Sequence, residues 1–133
     1  MTARRRKQLS VYLENRAGAL AEICRLIAAE SINLLAICAI DTIEEAVLRI
    51  VPEDAGAARA TLERAGFRVI ETEVLAIDLP NVPGATGRVA SRLADAGINI
   101  DYVYASAHPE GKQSLLVLRT HDVDAAVRAL GAA

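Results

Sequence analysis

The chain has 133 residues, of which 53% are hydrophobic and only 3% aromatic, and its formal net charge is −2. This balance excludes an intrinsically disordered chain, which would combine low hydrophobicity with high net charge, and it does not favour a nucleic-acid binder. Because the apolar residues are mainly Ala, Leu, Ile and Val, the sequence predicts a core of thin helix-on-sheet layers.

The cysteines and the charge pattern indicate the cellular compartment and whether the protein has a membrane partner. Cys24 and Cys38 form no Cys-x-x-Cys pair, and we expect both to be small buried hydrophobic residues. No apolar run approaches the ~18 residues of a membrane span. No apolar segment follows the basic run 4–7, which we interpret as a solvated tail ahead of the first strand. We therefore expect a cytoplasmic protein with no membrane partner.

The first half of the chain predicts the element order βαββαβ. Residues 9–13 alternate between apolar and polar, as in a strand with one buried face. Leu20, Ile23 and Ile27 then form the apolar stripe of a helix. The elements predicted after this helix are, in order, a strand from residue 32, a strand over 46–51, a helix over 55–65 and a short strand over 67–70.

The second half repeats the first at an offset of 66 residues, which becomes 68 after a predicted hairpin near residues 108–111. The coinciding positions include Asn15 with Asn81, Gly18 with Gly84 and Ile32-Asn33 with Ile98-Asn99. Paired Asn-x-x-Gly turns at one offset indicate an internal repeat rather than chance. The repeat predicts a strand over 74–79, a helix with Val89, Ala90 and Leu93 on its apolar stripe, a strand from 98, a strand over 114–119 and a helix over 123–130.

These elements predict an α+β fold of two ferredoxin-like (βαββαβ) sandwich units in tandem, with antiparallel sheets and the helices on one face. We place the domains at residues 8–71 and 72–133. The second copy has no obvious fourth strand, which would leave its first strand, 74–79, as a bare sheet edge. Because bare apolar edges invite pairing, we expect a neighbouring chain or the 67–70 segment to cover this edge, and we expect a homodimer.

The turn between the first strand and first helix of each copy is the strongest functional signal. Gly allows a ligand to approach the backbone closely, and the first N–H groups of a helix have no partner within it. A carboxylate could bind there, while the amide of Asn15 or Asn81 could contact a carboxylate or an ammonium group. These features suit an α-amino acid. Ordinary turn chemistry, in which Asn bonds its own backbone, is the alternative.

Two segments of the second copy carry a family resemblance. Asn81-Val82-Pro83-Gly84 and Gly97-Ile98-Asn99-Ile100 resemble the motifs of the ACT-domain family, and the first copy departs from them at Ala17 and Ser31. The resemblance covers roughly residues 8–130 and is closest to stand-alone tandem ACT-domain proteins. It implies a non-catalytic regulatory protein that senses an L-amino acid allosterically and acts on an enzyme of amino-acid metabolism.

The resemblance also implies where a ligand would bind. Family members hold amino acids between the first loop of one domain and the second strand of its neighbour. Carried over to this sequence, the ligand-binding candidates are the loop residues Asn15, Ala17, Gly18, Ala19, Leu20, Asn81, Val82, Gly84, Ala85 and Thr86, and the strand residues Ile37, Tyr102 and Tyr104.

Other functional classes have less support in the residues. His108 and His121 lack nucleophile or metal motifs, and we interpret Asp122 as a helix N-cap, so we expect no catalytic residue, metal or cofactor. The Glu44-Glu45 pair is read as a solvated hairpin. An RNA-binding module of this fold would stack bases on aromatic residues of its central strands, which the predicted third strands lack. A partner subunit without any ligand is the main alternative to an amino-acid sensor.

Overall fold

The computed structural model describes residues 1–42 and 45–131. Its elements, in chain order, are β1 (Thr2–Glu14), α1 (Ala19–Ala29), β2 (Leu34–Thr42), β3 (Glu45–Pro52), α2 (Ala55–Arg64), β4 (Arg68–Pro80), α3 (Ala85–Asp95), β5 (Ile100–Ala107), β6 (Gln113–Thr120) and α4 (Val123–Leu130). The predicted α+β class with ferredoxin-like repeats is confirmed. Glu44, half of the predicted solvated hairpin pair, lies outside the described residues.

The first compact unit comprises Lys7–Thr72. Its strands follow the order β2–β3–β1–β4, and antiparallel pairing aligns Leu48 of β3 with Val11 of β1 and Ala39 of β2. Helices α1 and α2 pack beside each other. The buried core of this unit consists of Leu9, Val11, Ile23, Ile27, Leu48, Ile50, Ala58, Leu62 and Val69.

The second compact unit comprises Met1–Arg6 together with Glu73–Ala133. Its strands follow the order β1–β4–β6–β5, and β6 aligns Leu118 with Leu75 of β4 and Val103 of β5. Helices α3 and α4 pack beside each other. The buried core contains Ala3, Leu75, Ile77, Leu79, Ala85, Val89, Leu93, Leu116, Leu118, Val123, Ala126 and Leu130.

The basic N-terminal run is part of a strand, so its interpretation as a solvated tail was wrong. Residues 2–6 begin β1 and belong to the second unit, where Ala3 is 2% exposed within the core. The Arg5 guanidinium donates to Glu73 over 3.3 Å and also to Asp124. The bare edge expected at β4 is therefore covered by the chain's own N-terminal segment, and neither a neighbouring chain nor residues 67–70 are needed for it.

The contact between Arg5 and Asp124 joins the N-terminal segment to α4. The hydrogen bond and the positive charge of Arg5 hold the pKa of the Asp124 carboxyl below its ordinary value. A lowered folded-state pKa means that the pair stabilises the fold above the ordinary carboxyl pKa, and that this contribution is lost as the pH falls through the lowered value.

The strands predicted at 67–70 and 74–79 are one continuous strand, β4. Glu71, Thr72 and Glu73 interrupt the apolar pattern in the sequence, and this interruption suggested a boundary between two strands. Backbone pairing does not require apolar side chains, so the strand continues through them. The division between the two compact units falls within this strand, between Thr72 and Glu73.

The helices bury a slightly different stripe from the predicted one. Helix α1 buries Ala19, Ile23 and Ile27, whereas Leu20 is 47% exposed. Helix α3 likewise buries Ala85, Val89 and Leu93 and leaves Ala90 exposed. Since side chains four residues apart lie on one helix face, each stripe begins at the first helical alanine, and the prediction missed that residue.

The helix ends largely follow the sequence prediction. The Asp122 carboxylate accepts a hydrogen bond from the Ala125 N–H over 2.9 Å, which confirms it as the N-cap of α4, and Asp54 caps α2 in the same way. Ser31 and Gly97 follow α1 and α3 with left-handed φ angles of 56° and 72°. Both cysteines are half-buried rather than fully buried, and Cys38 lies in the middle of β2.

The N-terminal strand can be tested through Ala3. Replacing it with aspartate would bury an unpaired carboxylate, and we expect Ala3→Asp to lower the free energy of unfolding by about 2 kcal/mol or more. Thr2→Asp, at the exposed neighbouring position, should change it by less than about 0.5 kcal/mol. Urea unfolding followed by circular dichroism measures both. Equal effects would show that residues 2–6 do not pack in the core.

The cap of α4 gives a second test. Asp122→Ala should lower the free energy of unfolding by about 0.5–2 kcal/mol, because the Ala125 N–H loses its acceptor. Asp122→Asn keeps a capping oxygen and should cost little. Thermal unfolding of the two variants beside the parent chain provides the comparison. An asparagine variant as unstable as the alanine variant would mean that the negative charge, and not the cap, stabilises the helix.

Candidate functional site

The two repeated turns share one backbone geometry. Gly18 and Gly84 are the N-cap residues of α1 and α3, with left-handed φ angles of 87° and 85°. Residues with a side chain rarely adopt this conformation, so each turn requires its glycine. No side chain caps either helix. Since a helix does not use its first N–H groups internally, both turns present backbone donors at a positive helix end.

The first turn is surrounded by charged partners. Asn15 Nδ2 donates to Asp41 Oδ1 over 3.1 Å, which joins the turn to the end of β2. Arg16 donates to Glu14 over 3.1 Å and to Glu22 over 3.3 Å. Glu22 lies in the first turn of α1, where its negative charge stabilises the helix N-terminus.

The second turn is fastened to the β5–β6 hairpin. Asn81 Nδ2 donates to the carbonyl oxygens of His108 and Gly111, each over 2.9 Å, and the Asn81 backbone N–H donates to the Lys112 carbonyl over 2.9 Å. The amide nitrogen is thus engaged with the backbone of a hairpin distant in sequence, and not with the backbone of its own turn. The amide oxygen is the part of this side chain that could still accept from a ligand.

The candidate residues on the second strands do not occupy equivalent positions. Ile37 of β2 lies opposite Ile50, a core residue, and therefore points to the helix-covered face of the sheet, where it is 46% exposed. Tyr102 and Tyr104 lie opposite Arg119 and Val117 on the other face. The side-chain alternation of β5 changes at a register shift between Ile100 and Tyr102.

Val103 is the counterpart of Ile37, and the sequence analysis missed it. It lies opposite the core residue Leu118 and is also 46% exposed. The signal was present, since the offset of 66 residues places Ile37 on Val103. The sequence prediction named the aromatic residues on either side of it, Tyr102 and Tyr104, instead.

The first turn contacts the end of its own hairpin, at a distance from Ile37, the predicted strand residue. Asp41, the partner of Asn15, lies four residues beyond Ile37 along β2, a distance of about 13 Å at the usual rise of a strand. Within the first unit, the turn and the exposed side chain of Ile37 therefore belong to separate surfaces.

A cavity of about 380 Å³ lies beside the start of α3 within the second unit. Its walls are formed by Met1, Leu79, Pro80, Ala85, Arg88, Val89, Arg92, Leu130 and Gly131. Among these residues, Ala85 belongs to the predicted ligand-binding set. The cavity therefore adjoins the second turn but is built mostly from residues that the sequence did not single out.

The two histidines lie at exposed positions. The His121 side chain is 96% exposed, with Nδ1 3.7 Å from Asp101 Oδ2, and His108 Nδ1 accepts from the Glu110 N–H over 3.2 Å. Residues 1–42 and 45–131 contain no group of three or more His, Cys, Asp or Glu side chains that could hold a metal ion. None of the helices in these ranges has the length and apolar character to cross a membrane.

Solved structures with the same fold cover almost the whole chain. A protein from Bacteroides thetaiotaomicron is 35% identical, with a TM-score of 0.89, 97% of this chain covered and 88% of the other. The regulatory subunit of aspartate kinase from Thermus thermophilus, in a ligand-free form, is 17% identical with a TM-score of 0.72 and coverages of 98% and 95%. The corresponding subunit from Thermus flavus is 18% identical with a TM-score of 0.66, at the same coverages.

Sequence comparison assigns the family. No curated protein matches the chain at a significant level. The family model described as an ACT domain pair matches residues 2–130, which is nearly the full length. The repeated units, the paired glycine turns and this match agree, and the chain belongs to the ACT domain pair family.

Proposed function

We propose that this chain is a non-catalytic regulatory protein that binds a small L-amino acid. The observation that carries the proposal is the repeated, exposed turn with a left-handed glycine, which leaves the N-termini of α1 and α3 without a side-chain cap. Membership in the ACT domain pair family supports a regulatory role. So does the likeness in fold to chains that are regulatory subunits of aspartate kinase in Thermus.

The chemistry of the second turn suits an α-carboxylate. The Ala85 N–H donates back to Val82 and the Arg88 N–H donates to Gly84, so the N–H groups of Thr86 and Gly87 are those that the first helical turn leaves for an external acceptor. A carboxylate there accepts two backbone hydrogen bonds at the positive helix end. In this proposal Asn81 fixes the loop, and its amide oxygen accepts from the ligand's ammonium group.

The first turn offers a related but more crowded site. The Asp41 carboxylate beside Asn15 attracts an ammonium group, while Glu22 already places a negative charge at the start of α1. A ligand carboxylate would be repelled by Glu22, and we therefore expect the second turn to bind the amino acid more tightly than the first.

A homodimer would complete the site. Strand β2 is the edge of the first unit and β5 that of the second, and each exposes an apolar residue, Ile37 or Val103, on its helix-covered face. A second copy whose edge strand lies against a turn would supply the apolar wall that the turn lacks. A regulated metabolic enzyme as a further partner and a cytoplasmic location belong to the same proposal.

A thermal screen of the twenty L-amino acids tests binding directly. An amino acid that binds the folded state, present at about 100 times its dissociation constant, should stabilise the protein by about 2.7 kcal/mol and raise its melting temperature. The matching D-amino acid serves as the control, because it offers the same charges with the wrong geometry. If no amino acid raises the melting temperature at millimolar concentration, the chain is a partner subunit without this ligand.

A substitution at the start of α3 separates binding from folding. Thr86→Glu places a negative charge in the first turn, which stabilises the helix by about 0.3–1 kcal/mol. The same charge repels a bound carboxylate, and we expect binding of the amino acid identified by the screen to weaken about tenfold or more. Isothermal titration calorimetry measures the affinity, and thermal unfolding measures the stability.

Two further variants control this experiment. Thr86→Gln has a similar size without the charge and should bind within about twofold of the parent chain. Leu20→Glu is the counterpart at the first turn, and its effect reports whether that turn also binds. Unchanged affinity in both glutamate variants would place the amino acid away from the repeated turns and would contradict this part of the proposal.

A further inference from the structure

The cavity beside α3 combines a positive side with apolar walls. Arg88 and Arg92 lie one helical turn apart on α3, and the remaining lining side chains are apolar or absent. No Asp or Glu is among the described residues that line it. A volume of about 380 Å³ lies at the lower end of the range for small-molecule sites, about 300–1,000 Å³.

The two guanidinium groups are positioned by different parts of the unit. Arg92 Nη1 donates to the Leu130 carbonyl over 3.0 Å, which holds this side chain against the end of α4. Arg88 turns back towards the start of α3, where its Nη1 lies 3.4 Å from the position that a Cβ would take at Gly84. The Arg88 side chain forms no hydrogen bond or ion pair with the residues described in the structure, so its guanidinium can bind an external acceptor.

The charge of this helix face is electrostatically unfavourable without an anion. Like charges four residues apart repel each other. The positive charge of Arg88, in the first turn of α3, also opposes the helix dipole, whereas Arg92 lies in the last turn, where a positive charge is favourable. Helix α3 has no acidic residue in its first turn to offset the charge of Arg88. An anion bound between the arginines would relieve both repulsions.

The first copy provides an internal comparison. At the offset of 66 residues, Arg88 corresponds to Glu22 and Arg92 to Leu26. Glu22 pairs with Arg16 and lies at the N-terminus of α1, where its charge is favourable. The repeated fold therefore does not require arginine at either position, and the arginine pair at these positions is specific to the second unit.

We propose that this cavity is a separate site for a small carboxylic acid that carries no ammonium group, such as an aliphatic α-keto acid. Guanidinium groups match the planar geometry of a carboxylate, and Leu79, Val89 and Leu130 provide walls for an aliphatic chain. The ammonium group of an amino acid would meet two cations and no carboxylate among the described residues that line the cavity. This inference does not depend on the amino-acid site proposed at the turns.

Calorimetric titration of the full chain with α-ketoisocaproate tests the proposal. L-Leucine, which has the same carbon skeleton with an ammonium group, and inorganic phosphate, a bare anion, are the comparison ligands. We expect the keto acid to bind about tenfold or more tightly than either, with an affinity that falls as salt is added. Equal affinity for phosphate would overturn the carboxylic-acid assignment, because the apolar walls would then contribute nothing.

Variants locate the site. Arg88→Glu and Arg92→Leu introduce the residues that the first copy carries, and Arg88→Gln removes the charge with the least change in shape. Each should weaken keto-acid binding about tenfold or more. Arg25→Glu, at an exposed position of α1, makes the same charge change as Arg88→Glu and should bind as the parent does. Circular dichroism checks that each variant is folded.

The outcomes separate this site from the amino-acid site. Loss of keto-acid binding in the Arg88 and Arg92 variants, with Arg25→Glu unaffected, supports the cavity. Equal loss in Arg25→Glu would show a general charge effect, and no binding of the keto acid at millimolar concentration would overturn the proposal. Binding of an amino acid that Thr86→Glu abolishes and Arg88→Gln leaves intact would show that the turn site stands by itself.

Discussion

Each unit of this fold depends on a fourth strand that covers the edge of its first strand. A unit of about 60 residues buries too little surface to tolerate a bare apolar edge. The first unit uses residues 68–72, the beginning of β4, and the second uses residues 2–6, the beginning of β1. Strands β1 and β4 are each 13 residues long because each contributes to both units. A single basic segment, with Ala3 as its inward residue, thus completes a core that lies far away in the sequence.

In the two turns, the backbone and the side chains have separate roles. A left-handed glycine determines where each helix begins, and the donors it exposes are backbone N–H groups. The asparagines that accompany the glycines bind within the protein, Asn15 to Asp41 and Asn81 to the hairpin carbonyls. If an amino acid binds here, its carboxylate is recognised mainly by the backbone, while the asparagines hold the loop in the required conformation.

Most of the fold could be predicted from the sequence, because the two copies show the same pattern of elements independently. What escaped prediction has no signal in local periodicity. Residues 2–6 have one apolar side chain, so their strand is stabilised by pairing with β4 and by the contacts of Arg5. Because of the register shift in β5, Val103 lies on the helix-covered face of the sheet and the two tyrosines lie on the other face. The cavity brings together Met1, Leu79 and Leu130, whose proximity is created only by folding.

The two copies share a backbone but differ in charge at the same structural positions. The first turn carries Glu22, with Arg16 and Asp41 close by, whereas the equivalent face of α3 carries Arg88 and Arg92. Because the helix dipole is the same in both copies, the side chains alone decide which charge a ligand can bring. An anion is disfavoured beside Glu22 and favoured beside the arginines. The two helices therefore begin with the same backbone geometry, while the residues at two equivalent positions make their surroundings chemically different.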